Sequence, residues 1–200
     1  MISSAQEILK KYFGYDQFRP QQAEIIERVL DKKDALVLMP TGGGKSICFQ
    51  IPALLMEGTS IVVSPLISLM KDQVDSLKAS GITAEFLNST QTFTEQQQIL
   101  EACFRGDIKL LYVSPEKLLT DLDQITRMAK PALFAIDEAH CISSWGHDFR
   151  PEYRKIRQVI NNIGDNIPII ALTATATPKV QQDIQKNLQM TDAVLFKSSF

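Results

Sequence analysis

Short apolar runs alternate with amphipathic stretches along the whole chain. Six runs are brief and strongly apolar: 35–39 (ALVLM), 60–64 (SIVVS), 84–87 (AEFL), 109–113 (KLLYV), 132–136 (ALFAI) and 167–172 (IPIIAL). A seventh, 193–196 (AVLF), has the same character. Between them lie stretches with helical spacing of apolar residues: 20–32, 45–56, 66–80, 94–105, 116–128, 151–162 and 178–188. Strand, helix, strand at this spacing predicts βαβ units. Strands apolar on both faces predict an α/β fold, a mostly parallel central sheet flanked by helices on both sides. Ligands of such sheets gather at the carboxyl ends of the strands, so the residues just after each strand matter most. Residues 1–32 read as a helical appendage and 33–200 as the α/β domain. Pro52 falls inside a predicted helix and removes a donor there, which predicts a kink near Gln50 and Ile51.

Composition narrows the picture. The chain has 200 residues, 44% apolar and 22% charged, values of one ordinary globular domain. Lys and Arg number 21 against 23 Asp and Glu, a net charge of −2. That excludes a globally basic nucleic-acid coat but leaves room for a local basic groove. Cys48, Cys103 and Cys141 lie far apart, with no C-x-x-C pair, and read as reduced thiols of a cytoplasmic protein. No apolar run reaches about 18 residues, so no membrane partner is expected. The opening MISSAQEILKKYF lacks the apolar centre of a signal peptide.

The first strand runs into Pro40-Thr41-Gly42-Gly43-Gly44-Lys45-Ser46 and then a helix. Glycines let a backbone wrap a phosphate with its N–H groups, and the helix N-terminus adds partial positive charge. Lys45 offers a full charge to β- and γ-phosphates, and Ser46 a hydroxyl to Mg²⁺. Met39 stands where the usual phosphate-loop pattern has a further glycine, so the strand-loop-helix context carries the reading. The alternative is a glycine-rich turn with a solvated lysine. After the strand at 132–136 come Asp137, Glu138, Ala139 and His140. In a phosphate-loop enzyme an Asp at this place holds Mg²⁺, and a neighbouring Glu orients and deprotonates the attacking water. The alternative for Asp137 is a plain helix cap.

Together the GGGKS loop, the DEAH tetrad and Leu172-Thr173-Ala174-Thr175-Ala176 resemble the first motor domain of superfamily two helicases. Three further segments resemble the RecQ family of DNA helicases. Residues 13–22 (FGYDQFRPQQ) are similar to its adenine-reading segment, 62–73 (VVSPLISLMKDQ) to its second motif, and 141–153 (CISSWGHDFRPEY) to its aromatic-rich loop. The resemblance implies a RecA-like P-loop NTPase fold with ATP and Mg²⁺ as cofactors. It makes Lys45, Asp137, Glu138 and His140 the catalytic set. Tyr15, Arg19 and Gln22 with Thr41, Gly42, Gly43, Gly44, Lys45 and Ser46 become the nucleotide site, and Ser46 and Asp137 the metal ligands. Ser64, Lys71, Trp145, His147, Phe149 and Arg150 become contacts to single-stranded or forked DNA, and Thr173, Ala174 and Thr175 the coupling segment. Implied as partners are DNA and a second RecA-like lobe. That lobe and the family's zinc-binding and winged-helix regions lie outside this sequence.

The chemistry of these residue types agrees. An amide matches the donor and acceptor of an adenine edge, and Gln21 competes with Gln22 for that role. Aromatic faces stack on unpaired bases. From Trp145 to Arg157 the local charge is +2, from Arg150, Arg154, Lys155 and Arg157 against Asp148 and Glu152. Ordinary structural readings stand beside these: packing of Phe18 and Tyr15 among N-terminal helices, core burial of Trp145 and Phe149, and helix capping by Ser64 and Thr177. The functional expectation is an ATP-dependent DNA helicase motor lobe moving 3′ to 5′, in recombination and repair on a bacterial nucleoid. The lobe alone is expected to unwind nothing. An RNA helicase lobe, or a nucleotide-gated binding module without turnover, are the alternatives.

Overall fold

Alternate residues of each central strand face opposite sides, and both sides are apolar. In this computed structural model, which describes residues 2–40, 44–164, 166–190 and 192–197, that pattern builds a seven-stranded sheet with a core on each face. The strands are β1 (Ala35–Leu38), β2 (Thr59–Val63), β3 (Ala84–Leu87), β4 (Leu110–Val113), β5 (Pro131–Ile136), β6 (Ile169–Thr173) and β7 (Val194–Lys197). Every pairing is parallel, in the order β3-β4-β2-β5-β6-β1-β7. Leu36, Ile61, Val63, Leu111, Phe134, Ile136 and Ala171 point into one core. Ala35, Val37, Val62, Tyr112, Ala135, Ile170 and Leu172 point into the other. Full burial of each larger aliphatic side chain contributes about 1.5–3 kcal/mol, which is why the period-two pattern fixes the register.

The helices are α1 (Ile2–Ile8), α2 (Gln22–Leu30), α3 (Ile47–Leu55), α4 (Ile67–Ala79), α5 (Phe93–Phe104), α6 (Pro115–Thr120), α7 (Leu122–Ala129), α8 (Ile156–Ile163) and α9 (Pro178–Asn187). The N-terminal appendage is helical: α1 passes into one π-helical turn (Leu9–Phe13), stopped by the left-handed Gly14 (φ 76°). Its core residues Ala5 and Leu9 pack with Ile26 and Ile51. Two expected helices differ in detail. The one expected over 116–128 breaks into α6 and α7 at Asp121, whose φ of −113° leaves the helical range. The one expected over 151–162 begins as a 3₁₀ turn (Pro151–Lys155) before α8. Helix α3 runs unbroken through Pro52.

At the amino edge of the sheet, left-handed residues end helices and turn the chain into strands. Gly58 precedes β2, Gly81 precedes β3, Gly106 precedes β4 and Lys130 precedes β5. Because all strands are parallel, their carboxyl ends share the opposite edge.

Candidate active site

Three neighbouring strands deliver the chemistry to that edge: β1, β6 and β5, in that spatial order. After β1 the chain reaches Gly44, Lys45 and Ser46 at the start of α3; Thr41, Gly42 and Gly43 lie outside the described residues. Gly44 is left-handed (φ 81°), a conformation glycine adopts without the strain a side chain brings, and a Cβ there would displace the Gln22 amide, whose Nε2 would lie 2.3 Å away. Gln22 is buried at the start of α2. Its Nε2 donates to the Gly44 carbonyl at 3.1 Å, and its Oε1 accepts from Arg19 N–H at 2.8 Å. One amide thereby ties the N-terminal segment to the loop. Gln21, the competing amide, immediately precedes α2 in a left-handed conformation (φ 73°) and does not line the cavity.

After β5, Asp137 N–H still donates to Val63 O at 2.9 Å, extending the ladder by one rung. Asp137 Oδ1 accepts from Glu138 N–H at 3.0 Å. Burial pushes the Asp137 carboxyl up to about 6, and the Glu138 charge adds to this; the Glu138 N–H and Lys45 pull the other way. Glu138 has a left-handed backbone (φ 52°), a conformation costing a non-glycine residue of order 1–3 kcal/mol. His140 follows on a 3₁₀ turn (Ala139–Ile142) and is buried. Burial, first of all, holds its imidazole below the ordinary histidine range, with His147 and Lys45 adding and Glu138 and Asp148 opposing.

Strand β6 lies between the other two and ends at Thr173. Its Oγ1 lies 2.8 Å from His140 Nδ1, accepts from Thr175 N–H at 3.2 Å and donates to Thr175 O at 3.0 Å. Thr173 is buried, Ala174 partly so, and Thr175 exposed. The turn beyond is capped by Thr177, whose Oγ1 accepts from Val180 N–H at 3.3 Å, with Pro178 at the first helical position.

A cavity of about 590 Å³ unites most of the expected nucleotide residues: Tyr15, Arg19, Gln22, Gly44, Lys45, Ser46, Asp137 and Glu138 all line it. Tyr15 is exposed, whereas Phe18 packs against the N-terminal cluster. The donor set suits a nucleotide with Mg²⁺: hard oxygen ligands on Ser46 and Asp137, a cation on Lys45, and bare backbone at Gly44.

The aromatic-rich segment leaves from His140. Trp145 is 64% exposed and Phe149 39%, so neither is a core aromatic. His147 stacks on His140 with ring centroids 4.5 Å apart. Lys179 Nζ stands 3.2 Å from the Trp145 ring centre, and the Arg154 guanidinium 5.1 Å from that of Phe149. Arg150 Nε is 3.5 Å from Asp148 Oδ2. Three residues to which the sequence reading assigns no role anchor this segment. Buried Tyr153 donates its hydroxyl to Asp137 O at 3.0 Å. Asp183 on α9 accepts from Ser143 Oγ at 2.7 Å and lies 3.8 Å from Arg154. Lys179 is the third. Tyr153 stands inside the quoted segment, but Asp183 and Lys179 lie on a helix with no local signal.

The β2 corner contributes differently. Ser64 is buried, its N–H donates to Val113 O at 3.1 Å and its Oγ accepts from Leu66 N–H at 3.2 Å, so it shapes the turn into α4. Exposed Lys71 pairs with Asp75 at 2.6 Å. Neither lines the cavity.

Phosphate-type loop, acidic pair and all-parallel sheet together define a RecA-like motor domain. The chain belongs to the DEAD/DEAH box helicase family, which matches residues 19–184. It is 52% identical over 198 residues to the ATP-dependent DNA helicase RecQ of Haemophilus influenzae, covering 98% of this chain and 32% of that protein. It is also 52% identical over 192 residues to ATP-dependent DNA helicase RecQ of Bacillus subtilis, covering 95% and 32%. The resemblance to RecQ helicases thus holds across nearly the whole sequence, while the chain spans about a third of those relatives' length. A solved structure of a hypothetical ATP-dependent RNA helicase from Sulfolobus tokodaii shares the fold: TM-score 0.76, 19% identity, 99% of this chain and 57% of that one. Among the described residues no helix is long and apolar enough to cross a membrane.

Proposed function

We propose that this chain is the first motor lobe of an ATP-dependent DNA helicase that moves 3′ to 5′ and works in recombination and repair. The observation that supports it is one cavity lined by Gln22, Lys45, Ser46, Asp137 and Glu138. Gln22 exchanges its bond to Gly44 for the adenine edge, with Arg19 and Tyr15 beside the ring. Lys45 meets the β- and γ-phosphates. Ser46 and Asp137 hold Mg²⁺, which when bound neutralises phosphate charge. Glu138 orients the attacking water and accepts its proton, its carboxylate aimed by the left-handed backbone. His140 and Thr173 carry the state of the cavity to the segment 173–175 and to the aromatic loop.

Trp145, His147 and Phe149 stack on bases of single-stranded or forked DNA, each stack contributing about 1–3 kcal/mol. Arg150 adds charge toward the phosphates; Ser64 and Lys71 mark a second, weaker contact. The complete reaction requires a second lobe closing over the cavity, so the chain alone binds nucleotide weakly, hydrolyses it slowly and does not unwind. Its bacterial relatives favour a place in the cytoplasm, on the nucleoid. The test is binding of ATP–Mg²⁺ and of single-stranded DNA and RNA oligonucleotides by the chain, with Lys45→Ala and Trp145→Ala. Loss of nucleotide alone in the first and of DNA alone in the second supports the reading. Binding of neither ligand by the unaltered chain overturns it, and a preference for RNA favours an RNA helicase lobe.

A further inference from the structure

Just beyond the acidic pair, three donor side chains of unlike chemistry converge. His140 and Cys141 sit on the 3₁₀ turn and Asp148 on the loop beyond Trp145. Their ligand atoms all lie within 4.8 Å of one another, and Cys141 Sγ is 3.9 Å from Asp148 Oδ2. The backbone holds the two segments together, since Arg150 N–H donates to Cys141 O at 2.8 Å. A tetrahedral ion with bonds of about 2.0–2.3 Å sets its donors about 3.3–3.8 Å apart. Binding an ion therefore asks the outermost pair of donors to draw in by about 1 Å. One imidazole, one thiol and one carboxylate form a set that suits a borderline-soft divalent ion and not Mg²⁺ or Ca²⁺. Thr173 already engages His140 through Nδ1, the kind of outer hydrogen bond that orients a metal-bound histidine, so ligation falls to Nε2. The Asp148 side chain is 47% exposed and gives an ion its approach.

We propose that His140, Cys141 and Asp148 form a Zn²⁺ site, with the fourth position open to water. Binding replaces the Cys141 thiol proton, which leaves to solvent as the S–Zn bond forms, and no electron is transferred. Arg150 gives up its pairing with Asp148. The ion ties the aromatic-rich loop to the catalytic turn, and this restraint needs no assumption about the reaction the lobe performs.

The probe is Co²⁺, titrated into the reduced, nucleotide-free chain. One equivalent is expected to produce a near-ultraviolet thiolate-to-cobalt charge-transfer band, which Zn²⁺ then bleaches. Cys141→Ser removes the band, whereas Cys48→Ser and Cys103→Ser keep it. Cys141 is fully buried, so Asp148→Asn, on the outer loop, is an independent check with an expected loss of about tenfold or more in cobalt affinity. Trp145 is the chain's single tryptophan, and Zn²⁺ is expected to raise its fluorescence anisotropy in the unaltered chain. No band, a band that survives Cys141→Ser, or unchanged affinity in Asp148→Asn overturns the site. An unchanged Trp145 anisotropy overturns the restraint.

Discussion

The β1 corner and the β5 corner face one cavity, yet they are built in opposite ways. The first is bare backbone held by a single amide: the left-handed backbone of Gly44 would strain any side chain, and the Gln22 amide lies against it. The second is a network of side chains, in which buried Tyr153 and Thr173 and half-buried Asp183 fix the turn that carries Asp137, Glu138 and His140. On the proposed function, the corner that wraps the ligand is kept empty and the corner that holds charges at fixed positions is filled. The difference teaches where damage becomes chemical and where it becomes structural.

The largest expected effect tests the β5 corner as chemistry. Glu138→Gln in the full-length protein should lower ATP hydrolysis by about 10²–10⁴-fold while leaving nucleotide binding intact. Hydrolysis at the original rate would remove Glu138 from its role. Next, the two corners should part in stability. Tyr153→Phe leaves the Asp137 carbonyl without its buried donor and should cost about 1–3 kcal/mol in urea unfolding. Gln22→Ala removes two hydrogen bonds, but the Gly44 carbonyl and Arg19 N–H it frees line a cavity that admits water, so it should cost under about 1 kcal/mol, yet remove the preference for adenine over guanine nucleotides. Equal stability losses in the two variants would erase the contrast.

A smaller effect follows from His140. Its folded pKa lies below the unfolded value of about 6.5, so the unfolded chain binds the proton more readily. Its contribution to stability is present above that value and is lost as pH falls through the lowered folded pKa. Thermal melts of the chain and of His140→Gln should therefore converge as pH drops from 7.5 to 5.5; a constant gap would refute the shift. The smallest effect belongs to the surface of the same corner. Trp145→Ala should change stability by no more than about 0.5 kcal/mol despite losing its contact with Lys179.

Much of this was legible in one dimension. All seven strands follow from apolar runs; the five inner ones are buried on both faces and read as near-continuous apolar residues, whereas the edge strands β3 and β7 carry Glu85 and Lys197 and are partly exposed. Gly44, Lys45 and Ser46 stood out as a glycine-rich loop between a strand and a helix, and Asp137 and Glu138 because they follow β5 directly. Trp145 was readable as exposed because it neighbours Gly146 in a polar stretch. What stayed hidden are tertiary partnerships. Asp183 looks like any helix surface acid until α9 brings it to Ser143, 40 residues away in sequence. Asp121 ends α6 through its backbone geometry, which neither its residue type nor the helical spacing around it announced.

The parallel sheet also divides the molecule by tolerance to change. The turns at Gly58 and Gly106 sit at the amino edge, away from the strand ends that bear Lys45 and Asp137, and a Cβ at Gly106 would meet nothing within 4 Å. Such exposed tips are where insertions and attachments are best accepted. A peptide tag or a tether to a solid support grafted between Gly106 and Asp107 would leave the working edge facing outward. The fold thus carries its own handle for single-molecule experiments.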